Sequence, residues 1–115
     1  MVIRSAECKI ENRPQMRGGD GTVQITHFVG KEELLGKGRL FARITLNPGC
    51  SIGEHVHEGD SELFVVERGC PTYNDGGVEV QAQPGDVLIC PAETAHAIAN
   101  RTNEPVDLIA LIVYA

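Results

Sequence analysis

Apolar and polar residues alternate along most of this 115-residue chain. The period is two, that of a strand and not of a helix. Over residues 39–46, Leu40, Ala42, Ile44 and Leu46 share one face, while Arg39, Phe41, Arg43 and Thr45 share the other. The first set is the better core face. Over residues 22–29, Val23, Ile25 and His27 fall together, opposite Gln24, Thr26 and Phe28. Further short strands are predicted near 52–57, 62–68, 78–81, 86–90 and 96–100. The run 106–113 is apolar on both faces except at Asp107, so it predicts a strand covered on both sides. In so small a protein a second subunit is one way to cover it, and a homodimer is expected. Asn47-Pro48-Gly49, Asn74-Asp75-Gly76-Gly77, Pro84-Gly85 and Pro91 punctuate these runs, the second being a strong hairpin signal. Lys31–Leu35 predicts one helical turn, stopped at Gly36. Residues 1–21 are polar and close on Arg17-Gly18-Gly19-Asp20-Gly21. They predict an N-terminal arm, mobile or strapped across a neighbouring subunit, ahead of a β domain over 22–115. Eight or nine short strands joined by tight turns predict an all-β sandwich or barrel.

Composition narrows this picture without changing it. The length is that of one domain. A formal charge of −6 repels nucleic acid and anionic membranes, so neither is an expected partner. The opening Met1-Val2-Ile3-Arg4-Ser5 has no apolar core of a secretion signal. No apolar run nears the ~20 residues of a membrane helix. A cytoplasmic location is expected. The four cysteines lie far apart without a CxxC pair, which predicts packed thiols and not a disulfide frame or zinc knuckle.

The candidate chemistry sits in the histidines. His55 and His57 are spaced i, i+2, so on a strand both imidazoles point to one face. Glu62 opens the next strand after Glu58-Gly59-Asp60-Ser61, which reads as a turn. A hairpin therefore brings its carboxylate beside the two rings. Imidazole with carboxylate suits Mn, Fe, Co, Ni or Zn as divalent ions, and is too nitrogen-rich for Ca or Mg. His27 reads as structural. Phe64 and Val66 share a face with Glu62, and Ile98 with His96, so an apolar pocket is expected there, with Tyr73 and Cys90 as possible polar additions. If the Arg39, Arg43 face pointed inward, a guanidinium there would clamp a substrate carboxylate.

Two spaced motifs extend this. Residues 49–69 run Gly49, five residues, His55, one, His57, four, Glu62, six, Gly69; residues 85–100 run Gly85, five, Pro91, four, His96, three, Asn100. Together they resemble the two motifs of the cupin superfamily, G(X)5HXH(X)3–4E(X)6G and G(X)5PXG(X)2H(X)3N, with Glu93 where the family has glycine. The resemblance implies a jelly-roll β-barrel holding one divalent transition-metal ion with His55, His57, Glu62 and His96. One or two positions on the ion would stay open to a small-molecule ligand or substrate. It implies a metal-dependent enzyme of dioxygenase, decarboxylase or isomerase type, or else a non-catalytic module that binds a small ligand through the metal. Pro48-Gly49-Cys50-Ser51-Ile52-Gly53 ahead of the histidines is similar to small cupins of the oxalate decarboxylase kind. No catalytic residue beyond the metal ligands is read from either motif.

Overall fold

The structure is a computed structural model and describes residues 1–115. Ten strands carry the fold: β1 Lys9–Pro14, β2 Thr22–His27, β3 Gly38–Leu46, β4 Ser51–Val56, β5 Asp60–Arg68, β6 Thr72–Asp75, β7 Val78–Gln81, β8 Val87–Cys90, β9 Ala95–Ala99 and β10 Val106–Tyr114. They form two antiparallel sheets. One has six strands in the order β1-β2-β3-β10-β5-β8, the other four in the order β4-β9-β6-β7. Facing sheets of this kind, filled from both inner faces, make a jelly-roll barrel. No helix is long and apolar enough to cross a membrane.

The alternation seen in the sequence becomes the core. Ala42, Ile44 and Leu46 of β3 are buried, and they meet Leu108 and Ala110 of β10 and Phe64 and Val66 of β5. β10 lies between β3 and β5, with Ile109 and Leu111 opposite Arg43 and Phe41 on one side and Val65 and Leu63 on the other. Its one acid is satisfied: Asp107 accepts from Thr45 Oγ1 at 2.7 Å and pairs with Arg68 Nε at 2.8 Å.

Residues 1–21, expected as an arm either mobile or strapped across a neighbouring subunit, contribute a strand to the chain's own six-stranded sheet. β1 pairs with β2 from Lys9↔His27 to Pro14↔Thr22. A 3₁₀ turn, Met16–Gly18, then crosses to β4, where Ser51 N–H donates to Asp20 O at 2.9 Å and Asp20 N–H to Ser51 Oγ at 2.8 Å. Lys31–Leu35 makes turn bonds of the i→i+3 kind, such as Leu34 N–H to Lys31 O at 3.1 Å, and no helix.

The hairpin signal at Asn74–Gly77 is met by β6 and β7, joined through Gly76-Gly77. Gly69 turns with φ +83°, and a Cβ there would lie 2.5 Å from Pro105 O, so only glycine fits. Asn100 closes the loop before β10. Its Nδ2 donates to the carbonyls of Leu46 and Glu104, and its Oδ1 accepts from Thr102. The four cysteines are free.

Candidate metal centre

The four histidine and glutamate positions singled out by spacing meet at one end of the barrel. His55 and His96 face each other across β4 and β9. His57 follows β4 directly, and Glu62 comes from β5 in the opposite sheet. One potential ligand atom from each lies within 4.8 Å of every other. His57 Nε2 is 3.0 Å from both Glu62 Oε1 and His96 Nε2, and His96 Nε2 is 3.2 Å from His55 Nε2. His57, Glu62 and His96 are buried.

The far nitrogen of each ring is anchored. His55 Nδ1 bonds to Gly53 O at 2.8 Å, His57 Nδ1 to Asp60 Oδ1 at 2.7 Å, and His96 Nδ1 to Tyr73 Oη at 2.9 Å. A carbonyl and an ionised carboxylate only accept, so His55 and His57 carry their protons on Nδ1. In the neutral rings the Nε2 lone pairs then point at the cluster centre. This is the support pattern that orients metal-ligating histidines. Three convergent imidazole nitrogens with one carboxylate fit a divalent transition metal by number, type and direction.

Electrostatics favour the same reading. The hydrogen bond to Glu62 raises the His57 pKa above the ordinary histidine value, against burial and with help from Asp60. Burial lowers the His55 pKa, which disfavours the charged ring. Burial alone would raise the Glu62 carboxyl, but the hydrogen bonds from His57 and His96 bring it below its ordinary value. Burial likewise opposes, and Arg39 and His57 outweigh it, at Asp60, whose pKa is lowered.

Several residues stand elsewhere than the sequence placed them. Asp60, expected in a turn, is the first residue of β5, buried, and bridges His57 to Arg39 (Arg39 Nε to Oδ2, 2.8 Å). The signal was an acid three residues after His57. Phe64, Val66 and Ile98 belong to the closed core and do not wall the cavity. Tyr73 supports His96, and Cys90 bonds to Thr94.

Arg43 does not turn inward. It pairs with Glu67 and lies over the Phe28 ring. His27, read as structural, lines the cavity mouth beside Glu11. Glu93 takes φ +68°, the conformation that favours glycine at this position. It holds the turn with its N–H donating to His57 O at 2.7 Å and its Oε1 accepting from Gly59 N–H at 2.9 Å.

Beside the cluster lies a cavity of about 60 Å³. His55, His57 and Glu62 form its floor, Leu40, Ile44, Ile52 and Ile112 its apolar wall, and Glu11, Arg13, Arg17, His27 and Arg39 its polar rim.

A single-domain jelly roll with three histidines and a glutamate converging between its two sheets defines a small β-barrel with a candidate metal centre. The chain belongs to the cupin family: the family model "Cupin domain" matches residues 42–114. It is similar to an "Oxalate-binding protein" of Thermotoga maritima, 39% identical over 113 residues, covering 98% of this chain and 93% of that protein. A Thermotoga maritima crystal structure, described as a predicted oxalate decarboxylase, superposes with a TM-score of 0.95 at 38% identity over 100% of both chains. The structure of KdgF from a Halomonas species shares the fold, with a TM-score of 0.79 at 15% identity over 100% of this chain and 94% of that one.

Proposed function

We propose that His55, His57, Glu62 and His96 hold one divalent ion, of Mn, Fe, Co, Ni or Zn, and that the ion and the cavity beside it receive a short carboxylic acid, with oxalate the first candidate. The observation that carries the metal reading is the convergence of three Nε2 atoms and Glu62 Oε1, with every Nδ1 anchored from behind. The names given to the Thermotoga maritima protein and crystal structure support the acid. When bound, the metal supplies Lewis acidity toward a carboxylate oxygen. The chain's own residues do the rest. Asp60 and Tyr73 fix the rings, and the apolar wall limits the water around the ligand. The reading favoured here is a metal-dependent enzyme acting on this acid. The name of the oxalate-binding relative favours a second reading, a non-catalytic binder of the same ligand.

The test starts from protein stripped of metal and reloaded with each of the five ions in turn. Oxalate is titrated by calorimetry, and the mixture is assayed for oxalate, formate and carbon dioxide. Saturable 1:1 binding with at least one ion supports the proposal. Conversion of each hydrogen oxalate to one formate and one carbon dioxide identifies a decarboxylase, and unchanged oxalate a binder. Absence of binding with every ion overturns the carboxylate reading.

We also propose that the chain pairs with a second copy through the outer face of the six-stranded sheet. Phe41, Leu111, Leu63 and Ile89 form one cross-strand row there, with Ile109, Val65 and Val87 beside it. Phe41, Val65, Val87 and Ile89 are exposed at 36–57%, an apolar set of the kind that marks interfaces. Sedimentation velocity is expected to give twice the chain mass of 12.4 kDa. A Val65→Lys/Ile89→Lys variant is expected to sediment as the single chain. A wild type that sediments as the single chain at all concentrations excludes the pair.

A further inference from the structure

Three arginines line the small cavity: Arg13, Arg17 and Arg39. They are three of only ten Lys and Arg side chains in a chain of formal charge −6. Two are already paired. Arg13 Nε lies 2.7 Å from Glu11 Oε2, and Arg39 Nε 2.8 Å from Asp60 Oδ2. Arg17 has no acidic partner and makes no side-chain hydrogen bond within the protein.

Its backbone lies in a turn that Gln15 and Gly18 also pass through with positive φ. Arg17 takes φ +54° and ψ +31° inside the Met16–Gly18 turn, a left-handed conformation unfavourable for a side chain of this size. The turn is docked against β4 by the Asp20–Ser51 hydrogen bonds. It also presses on Gly53, where any Cβ would strike the Arg17 carbonyl. Gly53 O is the same carbonyl that anchors His55. The Arg17 side chain is therefore carried on a strap fixed to the strand that supplies His55 and leads directly into His57.

Charge and size limit what fits. The lining holds three arginines against Glu11 and Glu62, a surplus of one positive charge with the imidazoles neutral. A divalent ion raises the surplus to three, and Asp60 behind His57 lowers it to two. At roughly 10–15 Å³ per water-sized group, about 60 Å³ takes only a few heavy atoms. The complementary ligand is a short dianion.

We propose that Arg17 is a specificity-determining residue of this site, donating charge-assisted hydrogen bonds to a carboxylate of a short dicarboxylate. A guanidinium suits the task because its planar fork matches a carboxylate. The assignment rests on the metal-and-carboxylate reading above, and its test separates the two.

Wild type, Arg17→Gln, Arg17→Lys and, as a charge control, Arg4→Gln are loaded with the metal that supports oxalate binding. Metal content is measured first, and then affinity for oxalate and for glycolate, which has the same two-carbon frame with one carboxylate. Arg17→Gln is expected to keep the wild-type metal content and to lose at least tenfold in oxalate affinity. Its preference for oxalate over glycolate should collapse. Arg17→Lys should fall between, and Arg4→Gln should match wild type. Oxalate affinity within twofold of wild type in a metal-replete Arg17→Gln overturns the assignment while leaving the metal reading intact. Loss of metal from Arg17→Gln overturns it too, by making Arg17 a brace of the cluster. If metal-loaded wild type binds neither acid, the carboxylate reading fails and the Arg17 role with it.

Discussion

Replacing both His55 and His57 with alanine is expected to leave less than about a tenth of the metal that wild type holds at one equivalent, read by elemental analysis after reloading. The size of the effect follows from what is lost. Two of four donors go, and one of them, His57, is the ring that touches both Glu62 and His96. Losing only the partner behind a ligating histidine costs about 10–100-fold in metal affinity, so losing two ligands costs far more. Asp60→Asn measures that smaller step. All four donors stay, but the new amide presents N–H groups toward Arg39, which has only donors to offer. Its affinity is expected to fall by about 10–100-fold.

Acid gives a second readout of the same site. Proton and metal compete for His57 Nε2, and the His57 pKa is raised chiefly by Glu62. Wild-type metal affinity should therefore start to fall while pH is still above the ordinary histidine range. In Asp60→Asn, with one raising influence gone, the fall should start at lower pH. Heat gives a third. Metal at about 100 times its dissociation constant adds about 2.7 kcal/mol, roughly 10 °C in a domain of this size. The double alanine variant should show no such rise. Full metal content in that variant would remove the cluster from consideration as the centre.

What the sequence made legible, and what it did not, follows from burial. β3 could be read because one face is buried and the other is not: Ala42, Ile44 and Leu46 inside, Arg39 and Phe41 outside. The four cluster residues could be read because motif spacing survives folding. β1 could not be read. Lys9-Ile10-Glu11-Asn12-Arg13-Pro14 is an edge strand exposed on both faces except at Glu11, so nothing alternates. The residues of the cavity rim were lost with it, since Glu11, Arg13 and Arg17 all belong to that polar segment. His27 was legible in phase but not in role. It falls on the Val23 and Ile25 face, and that face continues past the core into the cavity mouth. Arg39 is the reverse case. Its alternation points outward, yet it sits near the start of β3, beside the bulge at Ile112 and Val113, and reaches Asp60. Strand ends release side chains from the two-face rule, and two of the residues behind the cluster, Arg39 and Asp60, lie at such ends.

Phe64→Ala is expected to cost about 3–5 kcal/mol, the range for emptying a buried phenylalanine site. That is a large share of the 5–15 kcal/mol that holds a typical domain folded. Phe64 is 1% exposed in the middle of β5. One face of its ring stacks on His96, with centroids 5.6 Å apart and planes 8° from parallel, and its edge relation to Tyr73 spans 6.4 Å at 89°. Tyr73 in turn holds His96 Nδ1. The ring therefore supports the only cluster histidine that comes from β9, both directly and through its hydrogen-bond partner. Its loss should loosen His96 as well as the core. Chemical denaturation without metal should report the core term. Val80→Ala, at a side chain 50% exposed on β7, should stay within about 0.5 kcal/mol of wild type. Phe64→Leu keeps most of the volume and loses the stack, so it should recover most of the stability but less of the metal affinity. If Phe64→Leu binds metal as wild type does, the stack on His96 is packing alone, and Tyr73 and the β4–β9 pairing suffice to aim that ring.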